Sequence, residues 1–335
     1  MLHLCLMKRS LRQALVGLVL PVVLLFTLSA QAATPAGGGA SGLSISPLRQ
    51  ELTLKPGQAD KIDITLKNIT GGPVIAKASV QDFESDNVTG NPKILSAGQT
   101  SPASIRPFLV GLGDLPLNTG EQKTFNIPVQ APSNASPGAY YGLIEYQAVP
   151  INNANSSGNN KVALSAAVSQ LVFITVPGNL TERMQLNAIH IYKDKTGGRE
   201  LGVLTTSIPQ AAGIELANLG NDFAKPFGRV TLQSSSGKTI YSYELNGNIT
   251  RGIVLPHSSR IFIDQLKNIK GPGRYTITAS ISYGSGSAIL TGRKVFWYLP
   301  AWVIIVIVAV VLLLIGAVWL ARRRMRRGGS RGYRS

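Results

Sequence analysis

Polar and apolar residues alternate along many short stretches of this chain, which is the pattern of strands rather than helices. Residues 61–67 read Lys-Ile-Asp-Ile-Thr-Leu-Lys, and residues 275–283 alternate in the same way. Because successive side chains of a strand point to opposite faces, such a run places Ile62, Ile64 and Leu66 on one face of a strand. Further strands are predicted at 48–54, 73–81, 104–112, 122–130, 139–149, 162–176, 184–193, 213–218, 229–233, 238–245, 260–264 and 287–295.

Turn signals rich in Gly, Pro and Asn separate these strands, and no convincing amphipathic helix occurs before residue 296. Many short strands at this spacing are typical of β-sandwiches. We therefore predict an all-β ectodomain of two immunoglobulin-like β-sandwich domains, followed by one C-terminal transmembrane helix. The asparagine-rich segment 151–160 is predicted to be an exposed hairpin tip, which either carries binding or is merely solvated.

One short motif occurs twice and indicates two related units. Pro137-Gly138-Ala139-Tyr140 and Pro272-Gly273-Arg274-Tyr275 each precede an alternating strand. Immunoglobulin-like sandwiches often hold such a tyrosine in a corner, with its hydroxyl bonded to nearby backbone. We therefore predict structural roles for Tyr140 and Tyr275. The boundary is predicted near residues 177–179, which gives domains of 43–178 and 180–295.

Residues 296–321 contain no charged side chain and are predicted to form a transmembrane helix. About 20 apolar residues in a helix suffice to cross a hydrocarbon core of about 30 Å. Trp297, Tyr298 and Trp302 lie near one end and Trp319 near the other, as aromatic side chains do at the two interfaces of a bilayer. The alternative is a buried core helix, which rarely runs this long without a polar face.

The tail that follows, residues 322–335, carries seven arginines and no acidic residue. Short loops rich in Lys and Arg stay in the cytoplasm. The tail is therefore predicted to lie in the cytoplasm, and the part of the chain before residue 296 is predicted to lie outside. Binding of the tail to anionic lipid or to nucleic acid is the less favoured alternative. The predicted location is therefore the cell membrane, with a single span.

Residues 1–33 have the organisation of a secretory signal peptide. Lys8, Arg9 and Arg12 precede an apolar run, and Ala30-Gln31-Ala32 fits a cleavage site, with cleavage after Ala32 or Ala33. An uncleaved anchor is the alternative. Residues 34–42 are predicted to form a flexible, Gly-rich leader. The single cysteine, Cys5, lies in the signal, so the mature domains must be stable without disulfides, which suggests a bacterial protein.

The formal charge of +17 overstates how basic the ectodomain is. Ten of the 33 basic residues lie in the signal and the tail, whereas all 16 acidic residues lie in 34–295, which leaves 23 − 16 = +7. This mild basicity fits either contact with an anionic wall or ordinary solubilising charge.

The residue pattern predicts no enzyme. Beyond the signal the only histidines are His190 and His257, and neither has a partner at the spacing of a zinc site. The chain has no Gly-x-Ser-x-Gly elbow, and the acidic residues form no recognisable acid/base pair. The sequence therefore identifies no catalytic, cofactor-binding or metal-binding residue, implies no cofactor, and leaves ligand-binding residues unassigned.

Several motifs, taken in order, resemble WxL-interacting proteins of bacterial cell surfaces. Residues 43–178 resemble the Ig-like peptidoglycan-binding domain of that family, and the second unit resembles a domain found in the same proteins. The motifs are Leu54-Lys55-Pro56-Gly57-Gln58, Ile64-Thr65-Leu66-Lys67-Asn68, Ser136-Pro137-Gly138-Ala139-Tyr140-Tyr141-Gly142, Leu216-Ala217-Asn218-Leu219-Gly220-Asn221, Leu255-Pro256-His257-Ser258-Ser259-Arg260, and Gly273-Arg274-Tyr275 with Phe296-Trp297. The resemblance transfers no ligand residue to this chain.

Two functions are compatible with these observations. The resemblance implies a membrane-anchored surface protein that binds peptidoglycan or another cell-wall polymer, a secreted surface protein, or both. We expect no nucleic-acid partner. The alternative is an assembly factor like the periplasmic pilus chaperones, which also pair two Ig-like domains and complete their clients by adding a strand. The predicted anchor disfavours the second function, whereas an exposed, unpaired edge strand would favour it.

Overall fold

The computed structural model describes residues 42–96, 98–151, 167–284 and 288–328. The predicted signal peptide, the leader up to residue 41, segment 152–166 and the end of the basic tail lie outside these residues.

The strands before residue 177 form the first β-sandwich. They are β1 (Leu43–Ser46), β2 (Arg49–Thr53), β3 (Ala59–Asn68), β4 (Val74–Gln81), β5 (Phe83–Ser85), β6 (Pro92–Ile94), β7 (Leu115–Leu117), β8 (Gln122–Gln130), β9 (Gly138–Pro150) and β10 (Ala167–Val176). One sheet has the order β1-β3-β8, the other has the order β2-β10-β9-β4-β7, and β5 pairs with β6 alone. β1 and β2 belong to different sheets, so the chain crosses from one sheet to the other at Pro47-Leu48.

The core of this sandwich lies between the inner faces of its two sheets. Ile62, Ile64 and Leu66 of β3 are fully buried, as their alternation predicts, and they pack with Ile144 and Tyr146 of β9. Apolar burial of this kind is the main favourable term in folding, and it holds the domain together without a disulfide.

The second β-sandwich follows from residue 184. Its strands are β11 (Met184–Asp194), β12 (Gly197–Glu200), β13 (Leu204–Thr205), β14 (Ala211–Asn218), β15 (Phe227–Gln233), β16 (Thr239–Leu245), β17 (Ser258–Gln265), β18 (Gly273–Tyr283) and β19 (Ala288–Tyr298). The sheets have the orders β12-β11-β14-β17 and β13-β19-β18-β15-β16. The predicted fold class, two β-sandwich domains and one C-terminal apolar helix, is confirmed.

The C-terminal helix α1 (Ala301–Gly328) is long and apolar enough to cross a membrane: an 18-residue stretch within residues 301–324 has a mean hydropathy of 3.4, and none of that stretch is buried. The predicted start at Phe296 was wrong, because Phe296 and Tyr298 are buried in the second core as the last residues of β19. The apolar run in the sequence is therefore part strand and part helix, with Leu299 and Pro300 between them.

The predicted strand at 104–112 was also wrong. Arg106–Phe108 forms a 3₁₀ turn instead, and its flanking residues are extended or irregular. Pro107 has no backbone N–H to donate to a sheet, and burial of Ile105 and Phe108 follows a spacing of three rather than two.

The repeated Pro-Gly-x-Tyr motif has the same structure in both domains. The hydroxyl of Tyr140 donates to the carbonyl of Ser136 at 3.0 Å, and that of Tyr275 donates to the carbonyl of Gly271 at 2.7 Å. Each tyrosine thus bonds to the residue four positions earlier, at the start of a long strand. The predicted corner role of both tyrosines is confirmed.

The two corners should differ in their contribution to stability. Tyr275 is buried, so Tyr275→Phe removes its hydrogen bond where water cannot replace it, and we expect a loss of about 1–3 kcal/mol in the free energy of unfolding. The bond of Tyr140 is exposed, and Tyr140→Phe should cost less than about 1 kcal/mol. Urea unfolding of both variants beside the parent chain measures this; a larger loss for Tyr140→Phe would contradict it.

Candidate functional site

The two domains share an aromatic interface. Phe83, Tyr141 and Phe173 of the first domain form one buried cluster with Ile253 and Leu255 of the second domain, and the partly buried Phe223 packs against it. The rings of Phe173 and Phe223 meet edge to face with their centroids 5.2 Å apart. Because such contacts are apolar and closely packed, they fix the two sandwiches against each other.

The β5–β6 hairpin strengthens this interface by covering an edge of the second domain. β17 is the outermost strand of its sheet, and the amide of Ile261 donates to the carbonyl of Val88 at 2.7 Å. The amide of Ser259 donates to the Asn87 side chain at 3.1 Å, and the Ser259 hydroxyl donates to the carbonyl of Asn87 at 3.0 Å. The edge of β17 is thereby paired within the chain at Ser259 and Ile261.

Part of the edge of β10 in the first domain is open. β2 pairs in parallel with Leu171–Thr175 of β10, whereas the preceding residues of β10, from Ala167 to Gln170, pair with β9 on one side only. Among the described residues no backbone group bonds to the other side of this stretch. We call residues 167–170 the open edge. Unpaired backbone N–H and C=O groups at such an edge are a template for another strand.

The side chains at the open edge alternate between the core and the surface. Val168 packs against the first core, and Gln170 is fully buried, where its side-chain amide donates to the carbonyl of Asp63 across the sandwich at 3.1 Å. The even-numbered side chains of β10 therefore face inward. The even positions upstream, 162, 164 and 166, are Val, Leu and Ala in the sequence; they lie outside the described residues.

An exposed apolar side chain lies next to this edge. The carbonyl of Leu48 accepts the amide of Leu171 at 2.9 Å, at the point where β2 begins to cover β10, and the Leu48 side chain is 68% exposed. An incoming strand here would meet free backbone groups on β10 and an apolar surface beside them.

A charged cleft between the domains begins where the open edge ends. Arg49, the first residue of β2, donates to the carbonyl of Arg251 in the second domain at 2.9 Å, and its guanidinium lies over the ring of Phe173 at 5.2 Å. Glu51 pairs with both Arg49 and Lys225. Partial burial tends to raise the pKa of Glu51, but the hydrogen bonds and charges of Lys225 and Arg49 outweigh it and hold the pKa below its usual value.

A second arginine lines the same cleft. Arg49 and Arg260 both border a cavity of about 200 Å³. Arg260 donates to the carbonyl of Ile253 at 3.0 Å, and burial, together with the nearby charge of Arg49, lowers the pKa of its guanidinium. In both arginines the Nε–H is buried and has no hydrogen-bond partner among the described residues. Buried donors of this kind favour an acceptor such as a carboxylate.

The two histidines singled out by the sequence lie elsewhere. His190 on β11 contacts Glu200 at 2.8 Å and Glu215 at 3.1 Å, and hydrogen bonds from Asn187 and from His190 lower the pKa of Glu215. His257 lies in a turn beside a larger cleft of about 460 Å³ between the domains. Within the described parts of the chain, no cluster of three or more His, Cys, Asp or Glu side chains could hold a metal ion.

The sequence pattern identified β10 as a strand but did not identify its open edge or the two arginines of the cleft. The alternation at 162–176 marked β10 as a strand, but it did not show that β2 covers only part of it. Arg49 and Arg260 were missed, because their contacts join residues far apart in the sequence. No local signal identifies such residues.

No family model matches this chain, and no curated protein matches it. Among solved structures it is similar to the class 5 fimbriae chaperone CfaA, with 12% identity over 77% of this chain and 100% of that one and a TM-score of 0.37. It is also similar to the E. coli chaperone DraB, with 16% identity over 78% and 97% of the chains and a TM-score of 0.34. A third is the CsuC–CsuE chaperone-tip adhesion subunit complex of Acinetobacter baumannii, with 14% identity, coverage of 76% and 98% and a TM-score of 0.35.

The predicted resemblance to WxL-interacting proteins was therefore wrong. No family model supports it, and the similar solved structures are fimbrial chaperones. The motifs behind it mark turns and strand starts, which two unrelated sandwich proteins can share. The interpretation as a peptidoglycan-binding surface protein depended on that resemblance and is wrong with it.

The Arg49 contacts should stabilise the domain interface measurably. Arg49→Met keeps an apolar stem over Phe173 but leaves the Arg251 carbonyl without its donor and Glu51 with one cation fewer. We expect a loss of about 1–3 kcal/mol in the free energy of unfolding, measured by urea denaturation.

Lys61→Met is the matched control, because it breaks an exposed ion pair with Asp63 of 3.9 Å. Such pairs contribute about 0–1 kcal/mol. If Arg49→Met costs no more than Lys61→Met, Arg49 does not stabilise the interface.

Proposed function

We propose that this chain is a membrane-anchored, chaperone-like assembly factor, which holds secreted surface subunits by adding a strand of its own to their incomplete sheets. The observation that carries the proposal is the open edge of β10, where β2 stops short and leaves residues 167–170 paired on one side only. The proposed action is binding and involves no catalytic step.

The side-chain pattern supports strand addition. Main-chain hydrogen bonds provide affinity in this mode of recognition, and alternate side chains filling pockets of the partner provide specificity. In the sequence upstream of the open edge, Val162, Leu164 and Ala166 are small and medium apolar residues at alternate positions. A client that lacks a strand exposes part of its own apolar core, so a row of this kind complements it.

The cleft supports the proposal by its position. It lies at the end of the open edge, and its arginines offer unpaired donors. A client bound along β10 could place an acidic group there, and a charge-assisted hydrogen bond would fix its register. The similar solved structures include chaperones in complex with a pilin and with a tip adhesion subunit, which agrees with a secreted protein as the partner.

The anchor is the second part of the proposal. α1 is 28 residues long, Trp302 and Trp319 lie near its ends, and the guanidinium of Arg323 lies over the Trp319 ring at 5.3 Å. The signal pattern at 1–33 and the arginines of the tail support an orientation with both sandwiches outside the membrane. A tethered assembly factor meets secreted chains at a high local concentration without new contacts.

Photo-crosslinking tests strand addition. A photoreactive residue at Leu164 is compared with one at Ser165, the neighbouring position of opposite parity, in cells that express the full chain. We expect crosslinks from position 164 to map by mass spectrometry to the core-facing residues of one client strand, and crosslinks from position 165 to be fewer by at least about tenfold. This contrast follows because alternate side chains of a strand point to opposite faces. Equal yields from both positions, or none from either, would refute the proposal.

Substitution at the same positions gives an independent test. Leu164→Asp places a charge where an apolar side chain should enter the client, and Ser165→Asp places the same charge on the opposite face. We expect client recovery with the purified full chain to be lost for Leu164→Asp only, because an unpaired carboxylate is costly to bury. Unchanged recovery for Leu164→Asp would contradict strand addition.

Protease protection tests the anchor. With an epitope tag at the C-terminus, protease added to spheroplasts should digest residues 42–298 and leave a tagged fragment of α1. Digestion of the tag in intact spheroplasts would show that the orientation is reversed.

A further inference from the structure

The end of the second domain that adjoins α1 has an unusual surface. β19 ends at Tyr298 and α1 begins at Ala301, so two residues separate sheet from helix. The amide of Leu299 donates to the carbonyl of Thr205 at 2.9 Å, which ties this junction to β13. If α1 spans the membrane as proposed above, this end of the domain lies at the lipid surface.

Exposed apolar side chains lie beside the junction. Leu204 of β13 pairs with Trp297 of β19, and the amide of Trp297 donates to the carbonyl of Val203 at 2.7 Å. All three side chains point outward, with Leu204 64% and Trp297 45% exposed. Ile208, in the loop after β13, is exposed as well. Side chains of this type, and Trp above all, favour the interface between lipid headgroups and hydrocarbon.

Basic side chains surround this apolar patch. The strand registers bring the β11–β12 turn, the β15–β16 turn, the β17–β18 loop and the start of β18 to the same end of the sandwich. Exposed basic side chains in these segments are Lys193, Lys195, Arg199, Lys238, Lys267, Lys270 and Arg274. Asp194 and Glu200 are the exposed acids in the same segments, and Glu200 is paired with His190 and Lys294.

These cations are free to meet an external partner. Within the described residues, no ion pair involves any of the seven. Asn268 in the β17–β18 loop donates to the carbonyl of Ile240 at 2.9 Å, so that loop is held against the start of β16. The positive charge is therefore carried by structured turns.

We propose that this end of the second domain is a lipid-binding surface, which docks on the anionic headgroups of the leaflet that α1 enters. Val203, Leu204 and Trp297 enter the interface beside the helix, and the seven basic side chains face the headgroup charges. A basic residue near an anionic membrane surface contributes about fivefold to the binding equilibrium, and the effect fades within about 10 Å. The two-residue junction with the helix keeps this end of the domain close to the surface that the helix enters.

The contact would fix the orientation of the whole ectodomain. The opposite end of the second domain holds the interface with the first domain, through Ile253 and Leu255. Because the two domains pack as one unit, docking one end at the membrane also sets the direction of β10.

Nitroxide accessibility tests this proposal with the full chain in lipid nanodiscs. Cys5→Ser provides a cysteine-free background, and Val203→Cys carries the label. Ile249→Cys is the matched control, since Ile249 is fully exposed in the β16–β17 connection at the far end of the domain. The measured quantity is the accessibility to oxygen, which concentrates in lipid, relative to a water-soluble nickel reagent.

In nanodiscs that contain an anionic phospholipid, we expect the oxygen-to-nickel accessibility ratio at position 203 to exceed the ratio at position 249 at least threefold. In zwitterionic lipid the ratio at position 203 should decrease toward the value at position 249. Lys267→Gln with Lys270→Gln should lower the docked-to-undocked ratio by roughly 25-fold, the product of two such contributions. A ratio at 203 equal to that at 249, or one that does not depend on lipid charge, overturns the proposal.

A third label separates this inference from the anchor on which it depends. Val311→Cys lies in the middle of α1. A high oxygen-to-nickel ratio at position 311 together with a low ratio at position 203 overturns the docking surface but agrees with the anchor. A low oxygen-to-nickel ratio at position 311 shows that α1 does not lie in the membrane, and the anchor proposal is then wrong. Neither result concerns strand addition, which the crosslinking at Leu164 measures separately.

Discussion

Every strand at the border of a sheet exposes backbone N–H and C=O groups that need a partner, and this requirement organises the molecule. The two domains meet it in related ways. In each domain a short strand pairs in parallel with the last strand of the sandwich, β2 with β10 and β13 with β19. The loop of the β5–β6 hairpin pairs with the first part of β17, at Ser259 and Ile261. β13 covers only the last residues of β19, and β2 likewise stops short of residues 167–170 of β10, which leaves the open edge.

The aromatic interface between the domains holds the strand that carries the open edge in place. Phe173 lies on β10 itself and packs against Phe223, so the covered part of the strand is held by the second domain while the open part points away from the shared cluster. Arg49 adds a polar contact at the point where the two parts meet. An edge held in this way loses little conformational entropy on binding, which lowers the cost of adding a strand.

The sequence predicted the fold class and most long strands, because alternation over seven or more residues is a strong signal. Strands such as β7 and β13 are too short to alternate visibly, and the apolar run at 296 hid the end of β19, since a buried strand and a membrane helix are both apolar. Arg49 and Arg251 meet although 202 positions separate them. Such contacts, and which edge stays open, follow from how the sheets assemble, and that information is not local.

The short junction between β19 and α1 has a mechanical consequence. β19 pairs with β18 in an unbroken register from Ala288 to Tyr298, and β13 pairs with its last residues. A pull on a bound subunit would reach the membrane along the axis of β19, so that all the hydrogen bonds of this register bear the load together in shear rather than opening one after another. The second sandwich can thus act as a mechanically stiff connection between the membrane and the strand that binds the subunit.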